Sequence, residues 1–220
     1  GSDIDGEAVN DYSGYSVSMN SDGDRVAIGA YSNDGTGYNA GHVRIYERDE
    51  GNTTVEPLGW TQLGSDIDGE AGGSSYWAAG DYSGQSVSLD SDGDRVAIGA
   101  YGNSNDDTGN AAGHVRVYEW NGTAWAILGD DIDGEATNDY SGYSVSMNSD
   151  GDRVAIGAYY NDGTGADAGH VRIYEYSNSS WSQLGSDIDG EAVNDYSGYS
   201  VSLDSDGDRV AIGAYGNDGT

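Results

Sequence analysis

Apolar and polar residues alternate along a segment that occurs four times in this chain. In the first copy, residues 12–31, apolar side chains alternate with serines from Tyr15 to Met19, and a second alternating run extends from Arg25 to Ala30. A period of two is typical of β-strands. The two runs are joined by Ser-Asp-Gly-Asp, whose glycine accepts positive φ, so the segment is predicted to be a β-hairpin. Near-copies of the hairpin follow at residues 82–101, 140–159 and 196–215.

Each complete copy is predicted to hold two further strands. The third is Gly-His-Val-Arg-Ile-Tyr at residues 41–46, and a short fourth strand begins at Trp60. Polar, glycine-rich stretches between them indicate loops. The predicted boundaries are 1–63, 64–128 and 129–184 for three full repeats and 185–220 for a partial repeat with its first two strands only. We expect such a chain to be a window of a longer array.

Four short antiparallel strands per copy predict an all-β fold of tandem blades. Repeated sheets of this kind stack around an axis as a β-propeller or form an open propeller-like stack. Alanine and glycine occupy the second face of the Arg25–Ala30 run and of its equivalents. Small residues there indicate that both faces of each sheet are covered by neighbouring sheets.

Composition changes the predicted fold little, but it restricts the kinds of partner that the chain is expected to bind. The net charge is −31, there is no cysteine, and all eight cations are arginines. Charge and low aliphatic content alone would indicate disorder, but the apolar residues keep strand periodicity, and 18 Tyr and 5 Trp add bulk. Such a surface repels nucleic acid and anionic membranes and attracts divalent cations or basic partners. No apolar run reaches the length of a membrane span.

The hairpin resembles a known repeat. Tyr-Ser-Gly-Tyr-Ser-Val followed by Val-Ala-Ile-Gly-Ala is similar to the FG-GAP repeat of integrin α-chain propellers and of many secreted microbial proteins, with Tyr12 in the place of the family's Phe and Tyr31 in the place of its Pro. The third strand also resembles part of the WD40 repeat, although the Trp-Asp ending of that repeat is absent. Both resemblances imply a propeller.

The FG-GAP resemblance raises the question of calcium. Family members often carry Asp-x-Asp-x-Asp-Gly-x-x-Asp in this hairpin, but Ser18 and Val26 stand at the first and last ligand positions here, which favours a plain turn. The motif Asp-Ile-Asp-Gly-Glu is the better candidate, because its alternate acids converge and repel one another unless a hard cation or an arginine neutralises them. The alternative is a solvated loop whose acids bond backbone amides or a strand arginine. The calcium candidates are Asp3, Asp5, Glu7, Asp66, Asp68, Glu70, Asp131, Asp133, Glu135, Asp187, Asp189 and Glu191.

No residue set points to catalysis. His42, His114 and His170 hold one equivalent position, whereas a catalytic histidine is normally unique and supported by other unique groups. Repetition favours a structural role, with the ring hydrogen-bonded between blades. The chain is therefore predicted not to be an enzyme.

Glycosylation is a further expectation. Acceptor sequons begin at Asn52, Asn121 and Asn178, one in each turn between the third and fourth strands. The alternative is ordinary turn chemistry, since Asn-Gly favours a hairpin turn.

Two functions remain open from sequence. The first is a secreted or cell-surface structural or adhesion protein that associates with identical chains or further repeats into a filament or array, because near-identical copies present equivalent surfaces at a fixed step. The second is a soluble recognition propeller that binds an extracellular protein or glycan through one loop face. An insertion in the second copy, with Tyr76 and Trp77, is the candidate ligand site.

Overall fold

In the computed structural model, residues 1–73, 80–104 and 110–219 are described, and every regular element among them is a β-strand. None of these residues forms a helix that could cross a membrane. The first sheet has the strand order β1-β2-β3-β4, and β5 also pairs with β3. Its strands are β1 (Ser16–Met19), β2 (Arg25–Ala30), β3 (His42–Arg48), β4 (Trp60–Gln62) and β5 (Ile67–Asp68).

The same sheet is built twice more along the chain, followed by one strand pair. The second sheet consists of β6 (Ser86–Leu89), β7 (Arg95–Ala100), β8 (His114–Trp120), β9 (Trp125–Ile127) and β10 (Ile132–Asp133). The third consists of β11 (Ser144–Met147), β12 (Arg153–Ala158), β13 (His170–Ser177), β14 (Ser180–Gln183) and β15 (Ile188–Asp189). The final pair is β16 (Ser197–Leu203) and β17 (Val210–Ala214).

The turn residues set the hairpin register. Gly23 has φ 70°, a conformation that glycine adopts without steric cost. The Asn20 side-chain Oδ1 accepts hydrogen bonds from the backbone N–H groups of Asp24 and Arg25, at 3.0 and 2.9 Å, and so closes the turn. With the turn closed, Met19 lies opposite Val26, and the two alternating runs pair along their whole length.

The fourth strand of each sheet comes in two pieces. β4 pairs with the end of β3 at Tyr46–Arg48, whereas β5 pairs with its beginning at His42 and Val43. The Asp-Ile-Asp segment, placed by the sequence analysis at the start of the second repeat, is thus hydrogen-bonded to the first sheet. It carries acidic side chains to the histidine end of β3.

Successive sheets pack face to face. Each sheet has a forward face, turned toward the next copy, and a backward face, turned toward the preceding one. Between the first two sheets, Val43 and Ile45 of the forward face pack against Val87, Leu89 and Val96 of the backward face. The second and third sheets repeat this arrangement. Apolar side chains are therefore buried between sheets, as the small residues of the second strand led us to expect.

The innermost strands β1, β6, β11 and β16 contact one another in order. One pocket is lined by Met19, Leu89, Met147 and Leu203, one residue from each copy. The inner strands therefore meet around a common axis. Beside them the second strand of one sheet approaches the next copy closely: a Cβ on Gly99 of β7 would lie 1.9 Å from the Gly142 carbonyl oxygen. The predicted all-β architecture, tandem four-stranded antiparallel blades that form a β-propeller or an open propeller-like stack, is confirmed.

Candidate functional site

Three features of the stack are candidates for function: the contacts between sheets, a tract of tyrosines, and three groups of titratable side chains.

The contacts between sheets are polar as well as apolar, and they have a direction. On the forward face, the serine hydroxyl at the start of the innermost strand donates to a glycine carbonyl oxygen of the next sheet. The pairs are Ser16 to Gly84, Ser86 to Gly142 and Ser144 to Gly198, at 2.7, 2.8 and 2.8 Å. In return, a backbone N–H of the next sheet donates to the second serine. These pairs are Leu89 to Ser18, Met147 to Ser88 and Leu203 to Ser146, at 2.9, 3.0 and 2.9 Å.

An arginine in each of the three full sheets makes further contacts in the same direction, toward the next sheet. Arg95 donates from Nε and Nη2 to Glu119 of its own sheet, at 3.0 and 2.8 Å, and from Nη1 to the Gly151 carbonyl oxygen of the next sheet, at 3.3 Å. Arg25 and Arg153 make the same three contacts. Forward and backward faces are thus chemically different and mutually complementary, so each sheet offers its neighbour the same set of partners.

The tyrosine tract runs across the ends of the inner strands. It comprises Tyr12, Tyr15, Tyr31, Tyr82, Tyr101, Tyr140, Tyr143, Tyr159, Tyr160, Tyr196, Tyr199 and Tyr215. Ring centroids of neighbours lie 4.3–6.2 Å apart, within the range of favourable aromatic contacts. Several rings remain exposed, including Tyr15, Tyr199 and Tyr215.

Four tyrosines of the tract also have a strained backbone conformation. Tyr12 has φ 56°, a left-handed conformation that is costly for a bulky residue. Its ring stacks on Tyr31, with 5.2 Å between the ring centroids. The equivalent tyrosines of the other copies, Tyr82, Tyr140 and Tyr196, have φ between 55° and 57°.

The third feature is a group of Glu, His and Asp at the outer strands. The three groups found among the described residues are Glu7–His42–Asp66, Glu70–His114–Asp131 and Glu135–His170–Asp187, with one donor atom per residue and all three atoms within 4.8 Å of one another. The glutamate and the aspartate of a group come from successive Asp-Ile-Asp-Gly-Glu motifs. The histidine comes from the start of the third strand.

Each group has an arginine beside it. Arg172 pairs with Glu135 Oε1 and donates from Nε to Asp187 Oδ1 at 3.1 Å. Arg116 pairs with Glu70 and with Asp131, and Arg44 Nη1 lies 3.8 Å from Glu7 Oε1. The strand arginine that the sequence analysis held open as a partner for these acids is therefore present. Burial alone would raise the pKa of Asp187, but a hydrogen bond from Gln183 and the charge of Arg172 together lower it.

His170 differs at its Nδ1 atom from the expectation of a hydrogen-bonded ring. His170 is 3% exposed, and its Nδ1 has no hydrogen-bond partner. The nearest carboxylate oxygens, on Glu135 and Asp187, are both 3.9 Å away, beyond hydrogen-bond distance. Burial lowers the pKa of His170, so the ring is neutral at pH 7. The recurrence of His170 in each copy favours a structural role, but the glutamate and the aspartate recur together with it, and this joint recurrence is the sequence signal for the group.

The remaining predicted site residues are placed as follows. Asn121 and Asn178 are exposed in turns between the third and fourth strands, whereas the half-buried Asn52 donates from its amide to the Pro57 and Trp60 carbonyl oxygens. Glycosylation of the three stays a prediction. Tyr76 and Trp77 lie outside the described residues. Calcium at the acidic motifs also stays a prediction.

Comparison with known proteins matches part of the chain to a repeat family. The family described as the FG-GAP repeat matches residues 132–174, from β10 to β13. Comparison with curated proteins gives no match. Among solved structures, a putative 6-phosphogluconolactonase from Bacteroides uniformis is similar with a TM-score of 0.54 and 12% identity over 90% of this chain and 49% of that chain. Hydrazine synthase of Kuenenia stuttgartiensis is similar with a TM-score of 0.52 and 13% identity over 91% of this chain and 49% of that chain. These likenesses concern the fold alone, and the chain spans about half the length of either protein.

Proposed function

We propose that this chain, whose residues 132–174 are an FG-GAP repeat, is an extracellular structural or adhesion protein that associates head to tail with identical chains or with further copies of its own repeat. The carrying observation is the directional set of contacts between sheets, which recurs with the same atoms and nearly the same distances. Each sheet makes the same hydrogen bonds to the sheet that follows it. This recurrence supports the addition of another equivalent copy at either end.

Residues of both complementary faces are exposed at the inner strands. On the backward face of the first sheet, Val17 is 63% exposed, and Met19 is also exposed. On the forward face of the final pair, Ser200 and Ser202 are exposed. These residues are the equivalents of those that pair between sheets inside the stack. A second copy would bury Val17 and Met19 against a forward face and give those serines the partners that their equivalents have.

Charge sets the conditions for this association. Two chains of net charge −31 repel each other in dilute salt. Screening shortens the range of that repulsion to about 8 Å at physiological ionic strength and to about 3 Å at 1 M salt, while apolar burial is retained. Self-association is therefore expected to strengthen as salt is raised.

The experiment is sedimentation of the purified chain over a range of protein and salt concentrations, with electron microscopy of the same samples. We expect mass to increase with protein concentration and linear assemblies to appear. Val17→Asp should weaken association because it places a charge on the docking face, whereas Val9→Asp, at a loop position 88% exposed, should not. Circular dichroism would verify that both variants fold. A monodisperse single chain under every condition would contradict the proposal.

The tyrosine tract favours a second candidate, a recognition propeller that binds an extracellular protein or glycan. Aromatic faces supply stacking surface for such ligands, and strained backbone held by its surroundings is common at binding sites. Replacement of the exposed Tyr15 and Tyr199 by serine should then abolish binding in a glycan or protein screen and leave the sedimentation profile unchanged. Loss of self-association with no ligand found would instead favour the first candidate. We propose no catalytic activity, because the chemistry-bearing residues recur from copy to copy.

A further inference from the structure

We infer that the group Glu135–His170–Asp187 binds a divalent transition-metal ion through His170 Nδ1, Glu135 Oε2 and Asp187 Oδ2, and that the groups at His42 and His114 are equivalent sites. This inference does not depend on self-assembly. It begins from the unpartnered Nδ1 of His170, a buried polar atom that faces two carboxylate oxygens at 3.9 Å. Buried polar atoms are nearly always satisfied, so an orphaned nitrogen indicates a missing partner.

The separation of the donor atoms suits a shared ion better than a hydrogen bond. Two ligands that each lie about 2.0–2.2 Å from one metal ion are roughly 3–4 Å apart, depending on the angle between them. The His170 Nδ1 distances of 3.9 Å fall in this range. An ion between the three atoms would replace two contacts that are too long for hydrogen bonds by coordination bonds.

The outer partners of the acids orient them toward the same point. Glu135 directs Oε1 to Arg172, and Asp187 directs Oδ1 to Arg172 and to the Gln183 amide at 2.6 Å. In both residues the second oxygen is the one that lies beside His170. Fixing one carboxylate oxygen by a hydrogen bond while the other coordinates is the usual arrangement around metal ligands.

Donor type and charge select the class of ion. One imidazole nitrogen with two carboxylate oxygens suits zinc, cobalt or manganese, whereas calcium prefers oxygen ligands alone. Two carboxylates and Arg172 leave the group with a formal charge of −1 when His170 is neutral, which favours a cation. The half-exposed Glu135 opens the group to solvent, so an ion can enter, and further coordination positions remain for water or a ligand.

The first and second copies keep the arrangement with small differences. His42 Nδ1 lies 3.8 Å from Glu7 Oε2 and 3.7 Å from Asp66 Oδ2. In the second copy, Arg116 occupies both oxygens of Asp131. We therefore expect the sites at His42 and His170 to bind more tightly than the site at His114.

The test is titration of the chelator-treated chain with Zn²⁺ and with Co²⁺ in excess Mg²⁺, which suppresses unspecific binding to the acidic surface. Calorimetry should give up to three Zn²⁺ per chain, and Co²⁺ should develop a visible absorption band typical of nitrogen and oxygen ligands. Glu135→Gln should lower the affinity of that site for Zn²⁺ at least tenfold, so that one tightly bound ion per chain is lost. Asp187→Asn should lower the Zn²⁺ affinity of the same site to a similar extent. This second variant provides the test if Glu135→Gln does not fold.

Glu191→Gln is the matched control. Glu191 is the glutamate of the fourth motif, it carries the same charge, and it belongs to none of the three groups. Its replacement should leave the number of bound ions unchanged. Equal losses in Glu135→Gln and Glu191→Gln would overturn the inference, because they would indicate unspecific acidic binding. Binding of Ca²⁺ in preference to Zn²⁺, or no tight equivalent of Zn²⁺ at all, would overturn it too.

Discussion

Residues 12–31 and 140–159 have the same amino-acid sequence, yet the apolar side chains of their inner strands lie in different surroundings. Val17 is 63% exposed and Met19 56%, whereas Val145 is 9% exposed and Met147 7%. The hairpin register is the same in both copies. The difference is the sheet in front of each hairpin's backward face: β11 packs against the second sheet, whereas β1 has no preceding sheet among the described residues. The hairpin is therefore a local product of the sequence, but its burial depends on the neighbour.

This comparison has an energetic consequence. An isolated four-stranded sheet of this composition has few apolar residues with which to offset the entropy of ordering. Stacking buries both of its faces, so stability is expected to reside in the interfaces between copies, as in other repeat proteins. Changes at an interface should then cost much more than the same changes on an open face.

The largest effect is expected from Met147→Ala compared with Met19→Ala. Met147 packs in the cluster between the second and third sheets, so its truncation leaves a cavity and should lower the free energy of unfolding by about 2–5 kcal/mol. Met19→Ala should cost less than about 0.5 kcal/mol in dilute solution, because the side chain is exposed. Urea denaturation of both variants measures the difference. Equal losses would show that the neighbouring sheet does not decide burial.

An intermediate effect is expected where the second copy departs from the first and third. Asp90 stands at the place of Asn20 and Asn148, and burial together with the nearby Asp94 raises the pKa of Asp90 to about 6. The folded protein then binds this proton more tightly than the unfolded chain does. Stability should therefore fall as pH rises from about 4 to about 6.

Asp90→Asn should remove that dependence and stabilise the protein by about 1–3 kcal/mol at pH 7. The new amide would donate to Asp94, as Asn148 donates to Asp152 at 2.8 Å. The reverse change, Asn148→Asp, should introduce the same pH dependence in the third copy. Thermal melts between pH 4 and pH 7 compare the three proteins. An unaltered slope in Asp90→Asn would contradict this assignment.

A smaller effect is expected from the arginine contacts between sheets. Arg95→Met keeps the apolar stem but loses the hydrogen bonds to Glu119 and to the next sheet, which should cost about 1–2 kcal/mol. Arg209→Met, at the same position in the final pair, should cost less than about 0.5 kcal/mol because the side chain is 83% exposed. Both variants change the net charge equally, so chemical denaturation isolates the contact. An equal loss of stability in Arg209→Met and Arg95→Met would mean that the change in net charge, not the lost contacts between sheets, causes the effect.

Sequence patterns predicted the strands better than the candidate site. Alternation from Tyr15 to Met19 and the Asp-Gly turn predicted the hairpins because both signals are local. The split of the fourth strand was not expected, because β5 pairs with β3 about 25 residues away and only the folded sheet brings them together. For the same reason local patterns do not show the grouping of Glu135 with His170 and Asp187: its members come from two motifs and a strand between them, and only their joint recurrence from copy to copy indicates it.

Hydrogen exchange as a function of protein concentration tests the central claim, that each sheet is completed by its neighbour. The amides of β7, β8, β12 and β13 should exchange slowly at every concentration, since their sheets pack inside the stack. Those of β1, β16 and β17 should exchange rapidly in dilute solution and more slowly as concentration rises, because a second chain would cover them. Uniform exchange in all four copies, unchanged by concentration, would contradict the account.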